Sequence, residues 1–169
     1  IVATFGMVAP TKRNQTLLRA WTESALSRDS RCQLVFAGPM DLGEYGSALR
    51  TDAVSDAAGT VVFTDRLTDE GFSDWLAAAD VSVQLRGESR GETSGAVSHA
   101  MAHGLPVVVN AHGSLAELPG DAVFRIADPV DAKELAGVLE RLHDDAGLRD
   151  RLGVAARSHI ATQCHPDAC

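Results

Sequence analysis

Six short apolar segments, separated by amphipathic stretches, constrain the fold of this sequence most strongly. Each segment is nearly continuous in apolar residues, and they lie at residues 1–5, 33–37, 61–64, 81–85, 106–109 and 123–126. Strands of this composition are buried on both faces, which is typical of a parallel sheet. The alternation of strand and helix therefore predicts an α/β fold with a doubly wound, Rossmann-like parallel sheet and helices on both faces.

The stretches between the strands have the apolar spacing of amphipathic helices. One face of the first carries Leu17, Leu18, Trp21 and Ala25, and one face of a later stretch carries Phe72, Trp75, Leu76 and Ala79. Two more helices are predicted at about residues 131–143 and 146–163. Because the chain has 169 residues, 45% of them apolar, and no evident linker or repeat, we predict one domain over residues 1–169.

Charge and cysteine content limit the partners and the compartment. A formal net charge of −8 argues against a nucleic-acid-binding surface, and no apolar run reaches the roughly 20 residues of a membrane span. The three cysteines are odd in number and widely spaced, which favours a reducing, cytoplasmic location over a disulfide framework. Cys32 is predicted to open a buried strand, and the tail from Cys164 to Cys169 to be a frayed terminus rather than a zinc site.

Three polar loops follow strands of the predicted sheet, at residues 6–13, 64–68 and 86–94. Ligands of open α/β sheets bind outside the carboxyl ends of the strands, so these loops are the candidate site. The last loop runs through Gly91, Glu92, Thr93 and Ser94 to Gly95, directly before a predicted helix. Free N–H groups at a helix N-terminus bind anions. Because Glu92 would repel a phosphate, we expect it to reach hydroxyls on a neutral part of the same ligand, as in a nucleotide sugar.

The first loop places two cations at the start of a helix. Thr11 is the predicted N-cap, so Lys12 and Arg13 fall in the first helical turn. Cations are unfavourable at that end of a helix dipole, and an anionic ligand would offset this cost. The alternative interpretation is that both side chains are solvated surface cations.

Two histidines and one arginine have weaker signals. His99 and His103 have the spacing of a helical zinc pair, but the accompanying Glu is absent, so we expect no metal and interpret His99 as a hydrogen-bonding residue that lines the cleft. Arg66 is interpreted either as a contact to a phosphate or base edge, or as a salt-bridge partner of Asp65 or Asp69. The sequence has no P-loop, no dinucleotide-binding glycine motif after a strand and no nucleophile elbow of hydrolases.

Taken together, these segments resemble the C-terminal, donor-binding half of GT-B glycosyltransferases, especially the retaining enzymes of glycosyltransferase family 4. The run AMAHGLPVV at residues 100–108 is the most specific part. The others agree with the family in their order: Phe5-Gly6 with Lys12-Arg13, then residues 34–38, 61–63, 76–83, 91–95 and 113–119. The resemblance covers nearly the whole chain.

The resemblance implies that this domain binds a nucleotide-diphosphate sugar as donor substrate, with no metal or bound cofactor. Lys12, helped by Arg13, would neutralise the leaving diphosphate, which is electrostatic stabilisation by preorganised cations. Glu92 would contact donor-sugar hydroxyls, and Gly95 with neighbouring N–H groups would hold phosphate or sugar. The other expected donor-binding residues are Gly6, Arg66, Thr93, Ser94 and His99.

The acceptor, a glycan, a lipid or a small molecule, would bind a separate N-terminal domain that this chain lacks. The chain begins within a strand and without an initiator Met, so we expect it to be a piece of a longer protein, nearly inactive alone.

Two residues depart from the family pattern. His99 stands where the family has a second Glu, only six residues separate it from Glu92, and Met7 stands where an Arg is common. A subset of the family has a GETSG-type loop, and this chain resembles that subset. The alternatives are a non-catalytic nucleotide-sugar-binding module, half of a GT-B-type nucleotide-sugar epimerase, or an unrelated flavodoxin-like domain.

Overall fold

The computed structural model of the protein describes residues 1–56, 59–88 and 94–163. Its sheet has six parallel strands in the order β3-β2-β1-β4-β5-β6. The strands are β1 (Val2–Phe5), β2 (Leu34–Ala37), β3 (Val61–Phe63), β4 (Val81–Gln84), β5 (Val107–Asn110) and β6 (Phe124–Ile126). All six lie where the apolar segments predicted them, and the doubly wound Rossmann-like fold is confirmed. The strand order reverses between β1 and β4, which is the switch point where such folds bind ligands.

In the described part of the chain, six α-helices connect or follow the strands. They are α1 (Asn14–Glu23), α2 (Glu44–Asp56), α3 (Asp69–Ala78), α4 (Gly95–Ala102), α5 (Ala132–Asp144) and α6 (Ala146–Gln163). Short 3-10 turns occur at Pro10–Lys12, Ala25–Arg28 and Gly113–Glu117. None of the helices in the described ranges is long and apolar enough to cross a membrane.

The central strands are buried on both faces, as their apolar sequences predicted. Successive residues of a strand point to opposite faces. In β2, Leu34 and Phe36 therefore pack with Trp21 of α1, whereas Val35 packs with Leu76 of α3. The edge strand β3 is only partly buried.

Side chains at the helix starts explain several boundaries. Thr68 Oγ1 accepts a hydrogen bond from Gly71 N at 3.1 Å before α3, and Asp131 Oδ1 accepts one from Glu134 N at 2.8 Å before α5. Such N-caps satisfy backbone donors that have no partner within the helix.

Two predictions for the first half of the chain were wrong. Ala25 does not share the buried face of the first helix, because α1 ends at Glu23 and Ala25 is exposed in the following 3-10 turn. The Oγ of Ser24 donates to the carbonyl oxygen of Trp21 at 2.7 Å, which helps to end the helix there. Cys32 does not open β2, which begins two residues later; it lies half-buried beside the core.

Gly153 of helix α6 packs closely against Gly104, in the turn that precedes β5. A Cβ on Gly153 would come 2.2 Å from the carbonyl oxygen of Gly104. We therefore expect Gly153→Ala to lower the free energy of unfolding by about 1–3 kcal/mol, since two backbones would have to separate. Gly137→Ala in α5 is the matched control, because its Cβ would meet nothing within 4 Å. That change is expected to be neutral or to stabilise by up to about 1 kcal/mol. Urea denaturation of the two variants measures the difference, and equal midpoints would contradict the steric argument.

Candidate functional site

The loop after β1 begins at the carboxyl edge of the sheet and carries Lys12 and Arg13. Pro10–Lys12 forms a 3-10 turn, and Arg13 has a left-handed φ of 50°. The prediction that Thr11 caps the helix, with Lys12 and Arg13 in its first turn, was wrong. Arg13 itself precedes Asn14 as the N-cap residue of α1, and its own side chain makes no capping hydrogen bond. Tyr45 Oη instead accepts a hydrogen bond from Gln15 N in the first turn, at 3.2 Å.

Backbone contacts connect this loop to its two neighbours. Val8 N donates to Pro39 O at 2.9 Å and Asp41 N donates to Val8 O at 2.9 Å, so the loops after β1 and β2 run side by side. Gly87 N, after β4, donates to Thr11 O at 2.8 Å. The turn that carries Lys12 is thus fixed by hydrogen bonds to the loops on both sides.

The two cations of this loop differ in their surroundings. Lys12 is half-buried, and its ammonium group makes no ion pair or hydrogen bond with another residue in the described part of the chain. Arg13 Nε donates to the carbonyl oxygen of Arg86 at 2.9 Å, and Arg13 Nη2 lies 3.1 Å from Asp128 Oδ1. Among the described residues, the guanidinium of Arg13 thus has protein partners and Lys12 has none, which makes Lys12 the candidate contact for an anionic ligand.

Asn110, at the end of β5, binds the backbone of Arg86. Its side chain is completely buried. Asn110 Oδ1 accepts from Arg86 N at 2.8 Å, and Nδ2 donates to Arg86 O at 2.8 Å and to Asp128 Oδ1 at 3.1 Å. The sequence analysis missed this residue; a buried amide at the end of an otherwise apolar strand was the available signal.

Asp128, two residues after β6, accepts hydrogen bonds from several sides. The second oxygen, Oδ2, lies 2.7 Å from His112 Nδ1, and the carboxylate side chain is 19% exposed. Desolvation alone would raise its pKa. Hydrogen bonds from His112 and Asn110, together with the charge of Arg13, outweigh this effect and hold the pKa of Asp128 below its usual value. The carboxylate is therefore ionised at neutral pH and balances the charge of Arg13.

The side chain of Arg86 connects this group to helix α4. Arg86 Nη2 donates to Ser94 Oγ at 2.7 Å. Ser94 is the N-cap of α4, with its Oγ 3.5 Å from Val97 N. Gly95, the first residue of α4, is exposed and would have no neighbour within 4 Å of a Cβ. The predicted site residues Glu92 and Thr93 lie outside the described residues.

The remaining predicted site residues lie near the carboxyl edge but are not joined to Arg13 by the described contacts. Gly6 follows β1 directly, with a φ of 97°. His99 is exposed on α4, and its ring packs edge-on against Phe72 at 5.7 Å between centroids. Arg66 is exposed in the loop after β3, where Asp65 pairs with Arg50 at 2.6 Å. Within residues 1–56, 59–88 and 94–163, no three His, Cys, Asp or Glu side chains form a candidate metal site.

A wide concavity of about 700 Å³ lies elsewhere, beside α6. Pro119, Val154 and His159 are among its lining residues. Because Pro119 precedes β6, this concavity is at the amino edge of the sheet. It is separate from the cations and helix N-terminus described above.

The arrangement at the carboxyl edge has the features of an anion site in an α/β fold. Lys12, which has no partner among the described residues, lies in the turn that follows Gly6. This turn and the N-terminus of α4 belong to neighbouring loops at the switch point.

Residues 1–145 match the family described as glycosyl transferases group 1. The chain belongs to this family. No curated protein matches the sequence.

Three solved structures illustrate the fold that this chain shares with known proteins. HepE from Anabaena, in complex with UDP, superposes with a TM-score of 0.83 at 20% identity over 95% of this chain and 43% of HepE. The C-terminal domain of LpcC, a group 1 family protein from Francisella tularensis, gives 0.80 at 17% identity over 96% of this chain and 84% of that domain's chain. Sucrose-phosphate synthase from Thermosynechococcus elongatus gives 0.80 at 23% identity over 99% of this chain and 42% of the synthase. This group 1 chain thus has the fold of a GT-B C-terminal domain and spans less than half the length of HepE.

Proposed function

We propose that this domain binds the nucleotide-diphosphate sugar donor of a retaining glycosyltransferase of family 4. One observation carries the proposal: the Lys12 turn and the N-terminus of α4 are held at one edge of the sheet through Arg13, Arg86 and Ser94. A diphosphate between them would meet an ammonium group and free backbone N–H groups. Both interactions are strongest with a doubly charged anion.

The proposed chemistry is stabilisation of the leaving diphosphate. As the bond from the sugar to the phosphate breaks, negative charge grows on the phosphate oxygen, and Lys12 stabilises that charge. Arg13 would stabilise the diphosphate indirectly, without contacting it, because its guanidinium already contacts Asp128 and the Arg86 carbonyl oxygen. The ammonium group takes the part that a metal ion has in other transferases, so the proposal includes no metal or cofactor.

The remaining residues divide the donor between them. Gly6, Thr93, Ser94 and Gly95 would face the phosphates, Glu92 would accept hydrogen bonds from the sugar hydroxyls, and Arg66 and His99 would lie toward the nucleoside. HepE was solved with UDP and also with UDP-glucose, which supports a nucleotide-sugar ligand for a domain of this fold.

The chain spans 43% of HepE, and we propose that a second, N-terminal domain supplies the acceptor site. Residues 1–169 alone would then bind a donor without transferring the sugar, and the proposed cytoplasmic enzyme would act on a glycan, a lipid or a small molecule. Acceptor-dependent transfer by residues 1–169 alone would contradict this part of the proposal.

A thermal-shift screen with UDP, GDP, ADP and their sugar conjugates tests donor binding. A ligand at 100 times its Kd stabilises the native state by about 2.7 kcal/mol, which corresponds to roughly 5–10 °C for a domain of this size. We expect one diphosphate to raise the melting temperature and Lys12→Ala to weaken its binding by roughly 10- to 100-fold, since a charge-assisted contact is lost. Glu92→Ala is expected to reduce only the additional shift given by the sugar conjugate.

Lys133→Ala is the matched control, because Lys133 is the other lysine of the chain, is exposed in the first turn of α5 and is not among the residues proposed to bind the donor. It changes the net charge by the same amount and is expected to leave the ligand shift intact. Equal losses in the two variants would show that only the overall charge matters and would contradict a specific site at Lys12.

One observation favours the second candidate, a non-catalytic nucleotide-sugar-binding module. His99 stands in place of an acid and packs edge-on against Phe72. A binding module would show the diphosphate shift with no transfer by the intact protein. A GT-B-type epimerase would convert the nucleotide sugar without an acceptor, and the same assay would detect it.

A further inference from the structure

Asp128 belongs to none of the segments that resemble the family, yet three side chains from different parts of the chain converge on it. Arg13 follows β1, Asn110 ends β5 and His112 follows β5. Their donor atoms lie 3.1, 3.1 and 2.7 Å from the carboxylate oxygens. An ionised carboxylate accepts several hydrogen bonds and thereby fixes the donors relative to one another.

Arg13 depends on this carboxylate. Its backbone is in the left-handed region, which is unfavourable for a residue with a side chain. Its side chain makes two described contacts, with Asp128 and with the carbonyl oxygen of Arg86. Without the carboxylate, a guanidinium that is 26% exposed would keep only a neutral carbonyl as partner.

Asn110 depends on it in a second way. The amide has to present Oδ1 to Arg86 N and Nδ2 to Arg86 O, and a flipped amide would make both contacts repulsive. Asp128 Oδ1 accepts from the same Nδ2, so only one orientation satisfies all three groups. The carboxylate thereby reinforces the amide orientation that the backbone of Arg86 requires.

Arg86 transmits this order to the proposed donor site. Its backbone is held by Asn110 and Arg13, and its guanidinium donates to Ser94, the N-cap of α4. The Lys12 turn lies beside it, because Gly87 N donates to Thr11 O. A chain of hydrogen bonds thus runs from Asp128 to both anion-binding elements.

We propose that Asp128 is a positioning residue of the donor site, which sets the N-terminus of α4 relative to Lys12 through Arg13, Asn110 and Arg86. The proposal rests on the donor-binding function proposed above. Asp128 itself touches no substrate in this scheme. His112, whose Nδ1 is oriented by the other carboxylate oxygen, is held in the same way.

The test measures UDP affinity by titration calorimetry, well below the melting temperature, so that every variant is folded. Asp128→Asn keeps the shape and removes the charge, and we expect it to weaken UDP binding by roughly tenfold or more. Asp29→Asn is the control, since it removes a carboxylate that pairs with Arg31 before β2, at the opposite edge of the sheet. We expect it to leave the affinity unchanged. Asp128→Glu, which restores the charge, is expected to recover part of the affinity.

A double-mutant cycle separates positioning from general destabilisation. If Asp128 acts through Arg13, the effects of Asp128→Asn and Arg13→Gln on UDP affinity will be non-additive. Unchanged UDP affinity in Asp128→Asn, with wild-type binding intact, would overturn the proposal. Additive effects would overturn the route through Arg13.

Amide hydrogen exchange distinguishes failure of this proposal from failure of the proposed function. If the unchanged chain binds no nucleoside diphosphate, the donor-binding function fails, but the order at Arg86 and Val97 can still be measured without a ligand. Faster exchange of the Arg86 and Val97 amides in Asp128→Asn, and not in Asp29→Asn, supports positioning by Asp128. Equal exchange in the two variants overturns it. If Asp128→Asn is too unstable for calorimetry, the hydrogen exchange of the Arg86 and Val97 amides is measured in Asp128→Glu in the same way.

Discussion

Trp21→Ala is expected to lower the free energy of unfolding by about 3–5 kcal/mol, a large part of the 5–15 kcal/mol that a typical domain has. Trp21 has no solvent-exposed surface and lies on α1 in the core beside Leu34 and Leu139. Its removal leaves a cavity that the sheet and helix α5 cannot both fill. Its Nε1 also donates to Thr60 Oγ1 at 3.0 Å, and that contact is lost with it.

Trp21→Phe separates the two contributions. It keeps most of the apolar volume and removes the hydrogen bond, so we expect a smaller loss of roughly 1–3 kcal/mol. Denaturation in urea, followed by far-UV circular dichroism because the tryptophan is changed, measures both variants. If Trp21→Phe were as damaging as Trp21→Ala, the lost hydrogen bond rather than the cavity would account for most of the destabilisation.

Gly38→Ala is expected to lower the free energy of unfolding by about 2–4 kcal/mol and to weaken diphosphate binding. Gly38 has a φ of 151°, and a Cβ there would lie 2.2 Å from the carbonyl oxygen of Gly6. Overpacking typically costs about 1–3 kcal/mol, and a strained backbone adds roughly 1 kcal/mol. Since Gly6 begins the loop that carries Lys12, relief of the contact must move that loop.

Gly59→Ala is the matched control for backbone strain. Gly59 also has a positive φ, of 80°, but a Cβ there would meet nothing within 4 Å. We expect a loss of about 1 kcal/mol and no change in ligand binding. The same urea titrations, with a UDP thermal shift for each variant, provide the comparison. A Gly38→Ala variant with an unchanged thermal shift would show that the loops after β1 and β2 are not coupled at the site.

Much of the site was predictable because it depends on local sequence patterns. The carboxyl-edge loops follow from strand positions, and the last of them was expected directly before a helix, which is α4. Lys12 and Arg13 were predicted on the correct loop, but the prediction that they lie in the first turn of a helix was wrong. A left-handed residue between a 3-10 turn and a helix has no apolar periodicity to indicate it.

The residues that the sequence analysis missed are those whose roles depend on distant contacts. Asn110 stands at the end of an apolar run and was not included in the predicted strand, although β5 extends to it. Asp128 lies in an ordinary loop, 115 positions after Arg13 in the sequence (128 minus 13). The two side chains meet only because β1 and β6 belong to one sheet. Local patterns contain no information about such a pair.

By itself, the sequence determined the α/β class, the positions of all six strands and the edge at which a ligand site was to be sought. These follow from the alternation of apolar runs and amphipathic helices, since each element has to bury its own apolar face. Only the tertiary structure decided that Arg13 is paired whereas Lys12 has no partner among the described residues, because both are simply basic residues in the sequence. Asp128 makes that difference, and it reaches Arg13 only after the parallel sheet has brought the carboxyl ends of distant strands together.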